Sequence, residues 1–155
     1  MVILLIIGLS AISGWLYWAG GHGKPYNSKV RDIGCSACNC LALWLLCRNS
    51  APFWVYCLSF ILSWAALSTY YDKLTRLWRK NEDEYAENWF LHGFFIGLAF
   101  LPLIFFGLSW WIILLRSIIL GVIMMCISVL SKKVFVEEFG RGVAIILTEL
   151  LFLCK

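Results

Sequence analysis

Long apolar runs follow one another through this chain and leave little polar sequence between them. Hydrophobic residues make up 62% of the 155 residues and charged residues 14%, whereas a soluble domain carries about 25% charged residues. A helix needs about 20 apolar residues to cross a bilayer. The chain therefore has room for five or six membrane-spanning helices and almost nothing else. This predicts one integral membrane domain over residues 1–155 and argues against a soluble domain.

We predict an all-α, polytopic transmembrane helix bundle with six spans, or five if one run does not cross. The first run lacks the positively charged start and the cleavage site of a signal peptide, so we expect it to remain as the first helix. The second run has 14 residues and reaches only about 21 Å as a helix, which predicts a short, tilted or partly re-entrant span. The six spans are predicted at residues 2–19, 34–47, 53–71, 89–107, 110–131 and 134–154.

The polar segments between these runs are predicted as loops. Residues 20–33 form the first, and residues 72–88 form the longest. The first half of the longest loop, DKLTRLWRK, has the pattern of a helix that lies in the membrane interface, and its second half is acidic. An interfacial belt is expected at the end of the first span, from Trp15, Tyr17 and Trp18. We expect a proline kink in the fourth span, at Pro102.

Positively charged residues are distributed unevenly between the two sides of this arrangement. Loops on one side carry nine lysines and arginines, and the other side carries two, Arg48 and Lys155. Cytoplasmic loops carry the excess of positive charge in membrane proteins, which predicts a bacterial inner membrane protein with both termini outside the cytoplasm. The nine loop cations are Lys24, Lys29, Arg31, Lys73, Arg76, Arg79, Lys80, Lys132 and Lys133.

The distribution of positive charge also indicates which kinds of partner to expect. No basic face exists outside the loops, so the net charge of +4 is explained by a membrane surface and predicts no nucleic-acid partner. We expect membrane lipids as partners, with a second copy of the chain or another membrane protein as further candidates.

The last apolar run, residues 143–154, is too short to cross a membrane. Its 12 residues cover about 18 Å, and a hydrocarbon core is about 30 Å thick. The last span must therefore include the segment before it, which brings Glu137, Glu138 and Arg141 to the membrane boundary. On a helix, Arg141 shares one face with Glu138 and Glu149, and it is placed to pair with Glu137 or Glu138.

Arg116 and Glu149 lie at similar depths on consecutive antiparallel spans. Arg116 is about 10 Å below the outer surface and Glu149 about 9 Å, so we predict that the two side chains face each other. An unpaired charge in the middle of a spanning helix costs about 2.5–3.5 kcal/mol, which favours pairing. We favour a static salt bridge that fixes the rotation of the helices. A path for an ion, a proton or a polar substrate is the alternative, and catalysis ranks after both.

The string EE-x-x-R at Glu137, Glu138 and Arg141 invites comparison with the intramembrane glutamyl proteases of the prenyl-protease-like superfamily. The motif of that family has three residues between its glutamates and its arginine, and this chain has two. The family also supplies histidines after the arginine, whereas His22 and His92 both precede Arg141. The catalytic roles are therefore not carried over, and an intramembrane hydrolase that uses Glu137 or Glu138 remains an alternative.

Cys35, Cys38 and Cys40 form a C-x2-C-x-C pattern at the predicted start of the second span. Such thiols at a helix N-terminus can be redox-active or bind a soft metal. No fourth ligand is evident, so we predict no metal site and interpret the cysteines as small packing residues. Cys47 and Cys57 flank a turn and could form a disulfide in an oxidising compartment. The loop GGHGK lacks the spacing of a phosphate-binding loop, and no cofactor is predicted.

Gly93 and Gly97 form a GxxxG motif on the fourth span, which allows another helix to approach closely. The motif predicts helix packing and does not specify a dimer. His92, beside it, is interpreted as an interfacial histidine with its hydrogen bonds satisfied, ahead of a ligand or a proton relay.

Five short segments serve as landmarks of the chain: WAGGHGK, KVRDIG, STYYD, HGFFIGLAFLP and EEFGRG. Taken together, they resemble a group of small uncharacterised membrane proteins of bacteria and their phages. The resemblance covers most of the chain, implies a compact multi-span bundle and brings no activity. We therefore expect a non-enzymatic membrane protein with a structural, interaction or transport role. The alternatives are the intramembrane hydrolase and a phage-type membrane effector, such as an entry-exclusion protein.

Overall fold

The computed structural model describes residues 1–22, 28–47, 51–77, 82–131 and 133–153, with the side chains of all of these except residues 21, 22, 28, 69–77 and 82–86. The described part of the chain contains helices, short turns and no strand, which confirms the predicted all-α bundle. Its helices are α1 (Val2–His22), α2 (Ser28–Cys47), α3 (Phe53–Leu77), α4 (Glu82–Gly97), a 3₁₀ helix (Leu98–Phe106), α5 (Trp110–Leu130) and α6 (Val134–Leu153).

The length and composition of these helices are those of a membrane protein. Among the described residues, four stretches are long and apolar enough to cross a bilayer, and α3 adds a shorter apolar stretch, Phe53–Ser68. Large apolar side chains such as Leu4, Ile61 and Leu115 are exposed on the outside of the bundle, as on a surface that faces lipid. The four stretches are Val2–Gly20, Lys29–Cys47, Glu87–Phe106 and Trp110–Leu130.

The six α-helices of the described chain form a closed ring. Each helix packs against the next one along the chain, and α6 packs back against α1. Neighbouring helices run antiparallel; for example, Gly20 near the end of α1 lies against Arg31 near the start of α2. The ends of α1, α3 and α5 therefore lie at the same end of the bundle as the starts of α2, α4 and α6. Exposed Lys29 and Lys133 lie there, and we call it the basic end; the other is the far end.

Several helix pairs approach so closely that only glycine fits between the backbones. A Cβ atom at Gly97 of α4 would lie 2.4 Å from Cα of Ser117, and one at Gly93 would lie 2.7 Å from a backbone oxygen of α5. Between α1 and α6, a Cβ atom at Gly142 would lie 2.5 Å from the backbone oxygen of Ser13. The GxxxG motif of α4 is therefore used within the chain, where it lets α5 approach.

The prediction that the second span has only 14 residues is wrong, and with it the reason to expect a short, tilted or partly re-entrant span. α2 begins at Ser28 instead of residue 34, and its 20 residues give it the length of a normal span. The predicted loop over residues 20–33 is mostly helical for the same reason. Arg31 and Asp32 were expected in that loop, but they pair with each other inside the bundle, so the helix continues through them.

The predicted loop over residues 72–88 is also mostly helical, because α3 continues to Leu77 and α4 begins at Glu82. Its lysines, glutamates and leucines are good helix formers, and they extend both helices beyond the apolar runs. The side chains of the predicted interface helix and most of the acidic segment lie outside the described residues.

The chain changes from an α-helix to a 3₁₀ helix in the span where a proline kink was expected. α4 ends at Gly97, and a 3₁₀ helix with Pro102 inside it continues to Phe106. Proline has no N–H group and its ring clashes with the preceding turn of an α-helix, which accounts for the tighter helix. Gly107 ends it with a φ of 90°, in the left-handed region that favours glycine.

Candidate functional site

The side chains of Arg116 and Glu149 meet in the interior of the bundle, as their depths in the sequence predict. Nη2 of Arg116 on α5 lies 3.7 Å from Oε1 of Glu149 on α6, and both side chains are completely buried. We call these two residues the central pair. Opposite charges attract strongly in an apolar interior, where removal from water is also costly.

Arg116 makes its shortest contacts with other groups. Nη1 donates to the backbone oxygen of Gly97 at 3.0 Å, and Nη2 donates to the backbone oxygen of Ile145 at 3.2 Å and to Oδ1 of Asn39 at 3.4 Å. The guanidinium carbon also lies 3.7 Å from the centre of the Phe100 ring. Arg116 therefore joins α5 to α2, α4, α6 and the 3₁₀ helix, because a guanidinium presents several donors in one plane.

Glu149 is held less tightly than its partner. Neither carboxylate oxygen accepts a hydrogen bond from any residue that the structure describes. The distance to Arg116 is longer than a hydrogen bond, so the contact is an ion pair without a hydrogen bond. Burying a carboxylate without donors is unfavourable.

A second group of polar side chains, most of them buried, lies nearer the basic end and is organised around Arg141. Its Nη2 contacts Oε1 of Glu137 one turn earlier on α6 and donates to Oγ of Ser128 on α5 at 2.7 Å. The guanidinium carbon lies 3.2 Å from the centre of the Trp89 ring on α4, in the geometry of a cation–π contact. Glu138 is buried, whereas Glu137 next to it is partly exposed.

Tyr17 and His92 extend this group towards α1. The hydroxyl of Tyr17 lies 3.1 Å from Nε2 of His92, and both side chains are completely buried. The edge of the His92 ring meets Trp89, with ring centres 5.4 Å apart. Tyr17 was expected in an interfacial belt, and this prediction is wrong because its hydroxyl has a partner inside the bundle. Trp15 on the same helix is exposed, as a belt residue would be.

Arg31 and Asp32 complete the group from α2. Nε and Nη2 of Arg31 donate to Oδ1 of Asp32 at 2.8 and 2.6 Å, and both residues are buried. The guanidinium carbon of Arg31 lies 5.8 Å from the centre of the Tyr17 ring. We call the whole group the basic-end cluster: Tyr17, Arg31, Asp32, Trp89, His92, Ser128, Glu137, Glu138 and Arg141.

Sequence reasoning found the α6 members of this cluster and missed those on α1 and α2. The sequence did contain a signal for the residues on α1 and α2, because polar residues recur there at helical spacing. On α1, Ser10, Ser13 and Tyr17 recur at helical intervals, and on α2, Asp32, Ser36 and Asn39 do the same. Residues at such intervals share one face of a helix, so polar periodicity marks the inner face of a helix whose outer face is apolar.

The cysteines of α2 pack as apolar groups. Cys35 is completely buried and its thiol donates to the backbone oxygen of Ser13 at 3.4 Å; Cys38 lies in the same apolar core. Cys40 is half-buried, and its thiol donates to the backbone oxygen of Tyr56 at 3.2 Å. No group of three potential metal ligands occurs among the described residues. Cys57 is an exposed free thiol, so a disulfide between it and Cys47 is not formed.

The chain was compared with models of known families, with curated proteins and with solved structures. None of the three comparisons found a match. The function is therefore argued from the two buried polar groups alone, and the resemblance to small membrane proteins of bacteria and phages stays a prediction.

Proposed function

We propose that this protein is a non-enzymatic integral membrane protein whose buried polar side chains fix one arrangement of its helices. The observation that supports this most directly is the set of contacts of Arg116, a single guanidinium that reaches four other helical segments. A catalytic charge has to meet a substrate, whereas Arg116 is completely enclosed by the protein. Its position suits a residue that holds helices together.

Polar contacts also join helices that are not neighbours in the ring. The bond from Tyr17 to His92 crosses from α1 to α4, and the bond from Arg116 to Asn39 crosses from α5 to α2. Neither pair of helices packs directly in the described part of the chain. In a membrane, where the lipid is as apolar as the helix surfaces, such bonds contribute to the association of helices.

We place the protein in a bacterial inner membrane with both termini outside the cytoplasm. Of the nine cations counted as loop residues, the structure describes the side chains of three: Lys29 and Lys133 are exposed at the basic end, and Arg31 is buried. The two exposed lysines lie at the end of the bundle to which the sequence assigns the excess of positive charge. At the far end, Trp54, Trp110 and Trp111 are exposed, which suits an aromatic belt at the opposite interface.

An intramembrane hydrolase is the second candidate. The observation in its favour is that His92, which precedes Glu137 and Glu138 in the sequence, belongs to the same basic-end cluster. A carboxylate and a histidine near one another are the groups used for general acid–base chemistry. Against it, Glu137 is engaged by Arg141. The resemblance to phage proteins supports a membrane effector from sequence alone.

Complementation of a deletion strain, with the amount of membrane-inserted protein measured in parallel, tests the non-enzymatic proposal. Glu138→Gln keeps the shape of the side chain and removes its acidity. We expect it to restore the deletion phenotype in proportion to its abundance, and we expect Arg116→Leu to lose abundance and phenotype together. Normal abundance of Glu138→Gln with complete loss of the phenotype would contradict the proposal and favour the hydrolase.

A further inference from the structure

A line of polar side chains runs along α2 from the basic-end cluster to the central pair. Asp32, Ser36 and Asn39 recur at intervals of four and three residues, share one helix face and are all buried. Asp32 belongs to the basic-end cluster, and Oδ1 of Asn39 accepts a hydrogen bond from Arg116. Seven residues of helix cover about 10 Å, so three side chains bridge the distance between the two groups.

Two buried serines of α3 lie at the level of this line. Ser59 and Ser63 are one turn apart and completely buried. The contact between Cys40 and the backbone oxygen of Tyr56 places these residues at one level of the antiparallel pair α2 and α3. Ser36 then comes level with the segment between Ser59 and Ser63. We call the five residues the polar column: Asp32, Ser36, Asn39, Ser59 and Ser63.

The serines of the column differ from several other buried hydroxyls of the bundle, although the hydroxyls of Ser13 and Tyr56 outside the column also make no hydrogen bond with a described residue. Ser10, Ser117 and Thr148 each donate to a carbonyl oxygen one turn earlier on their own helix. The hydroxyls of Ser36, Ser59 and Ser63 make no hydrogen bond with any described residue, and the same holds for Nδ2 of Asn39. Groups of this kind, when buried together, are typically satisfied by internal water molecules.

The polar column leads to the carboxylate of Glu149, which also lacks hydrogen-bond partners among the described residues. Both oxygens of Glu149 lack a donor among the described residues, although Arg116 is near. Arg116 would keep its bonds to the backbone oxygens of Gly97 and Ile145 if Glu149 became neutral.

We propose that the polar column contains water and that Glu149 exchanges a proton through it with the basic end of the bundle. In this exchange the carboxylic acid of Glu149 gives its proton to column water and becomes the carboxylate that faces Arg116. The reverse step restores the acid, and no other bond changes. The site thus takes a proton as its ligand, in a protein otherwise proposed to be structural.

The groups around Glu149 are consistent with a single exchanging acid. α5 presents the cation Arg116, and α2 presents two titratable thiols, those of Cys38 and Cys40. Among the described residues of α4, Gly97 contacts the central pair through its backbone oxygen. By the antiparallel register with α6, α1 brings the apolar residue Ile6 to this level. Arg116 is therefore the one cation that faces Glu149 from the described parts of these helices.

Infrared difference spectroscopy of the full-length protein in lipid vesicles tests the exchange. We expect the wild type to show a carboxylic-acid carbonyl band that changes with pH and shifts in heavy water, and we expect Glu149→Gln to lack this band. Glu138→Gln serves as the matched control on the same helix and should retain it. Identical pH-difference spectra for the wild type and Glu149→Gln would overturn the proposal.

Thiol labelling tests the water independently, without removing Glu149. Two single-cysteine proteins are compared, one with native Cys35 alone and one with Ser36→Cys alone, in a background whose other cysteines are replaced by alanine. The two positions are adjacent and completely buried, but Cys35 lies in the apolar core and Ser36 in the column. A dry site is labelled only when the bundle opens locally, so we expect roughly tenfold or faster reaction at position 36 with a small water-soluble reagent. Equal rates would overturn the hydrated column.

Discussion

The hydroxyl of Tyr17 lies 3.1 Å from Nε2 of His92, and this bond connects two helices whose backbones do not pack against each other in the described structure. α1 and α4 are on opposite sides of the ring, so the bond crosses the interior instead of following its wall. Both residues are completely buried, and their rings meet edge to face. A bond of this kind fixes the width of the bundle at its basic end.

Tyr17→Phe removes this crossing bond and leaves the apolar part of the ring in place. We expect a loss of about 1 kcal/mol in the free energy of unfolding, because a buried ring nitrogen of His92 loses a partner. Unfolding in a detergent mixture, followed by circular dichroism, provides the measurement. A double-mutant cycle with His92→Leu is the control. The two substitutions should be less than additive, and additive effects would show that the two groups do not act on each other.

Arg116→Leu should destabilise the protein by about 3–5 kcal/mol, because it leaves the buried carboxyl group of Glu149 without the cation that stabilises its charged form. The double variant with Glu149→Leu should recover most of this loss, since replacing a whole buried ion pair by apolar side chains is often neutral. Exchange of the charges, Arg116→Glu with Glu149→Arg, should recover less, because an arginine at position 149 cannot reproduce the bonds to Gly97 and Ile145. Thermal unfolding of the wild type and the three variants in one detergent ranks their stabilities. A double leucine variant as unstable as Arg116→Leu would contradict the prediction.

Gly97→Ala should destabilise the bundle by about 1–3 kcal/mol through overpacking. The added methyl group would lie 2.4 Å from Cα of Ser117, which belongs to the backbone of α5 and cannot move aside alone. Gly8→Ala on α1 is the matched control, because nothing lies within 4 Å of its Cβ position. Thermal unfolding should show Gly8→Ala unchanged or slightly more stable. Equal effects of the two substitutions would argue against close packing of α4 and α5.

Sequence reasoning predicted the parts of the fold that depend on apolar length. The spans predicted over residues 110–131 and 134–154 agree closely with α5 and α6. Comparison of depths on these consecutive helices was enough to bring Arg116 opposite Glu149. These features depend on one helix or on two that follow each other in the chain, so the sequence contains the information needed.

The features that sequence reasoning missed depend on the whole ring. The start of α2 was misplaced because Arg31 and Asp32 were counted as loop charges, although two opposite charges that bind each other can be buried together. The bond from Tyr17 to His92 joins helices that are far apart in the sequence, and only the closure of the ring brings them together. Polar residues at helical intervals on α1 and α2 were the available signal.

Arg31 and Lys29 give the sharpest test of the difference between a buried, paired charge and an exposed one, because both lie in one basic segment of the sequence. In the structure, Lys29 is exposed, whereas Arg31 is completely buried and donates two hydrogen bonds to Asp32. Arg31→Ala should therefore cost about 3–5 kcal/mol, because it leaves the buried carboxylate of Asp32 without its arginine. Lys29→Ala should change the free energy of unfolding by less than about 0.5 kcal/mol, as expected for an exposed side chain. Both values come from the same detergent unfolding assay. A small effect of Arg31→Ala would indicate that Arg31 is an exposed loop residue, as the apolar runs of the sequence predicted.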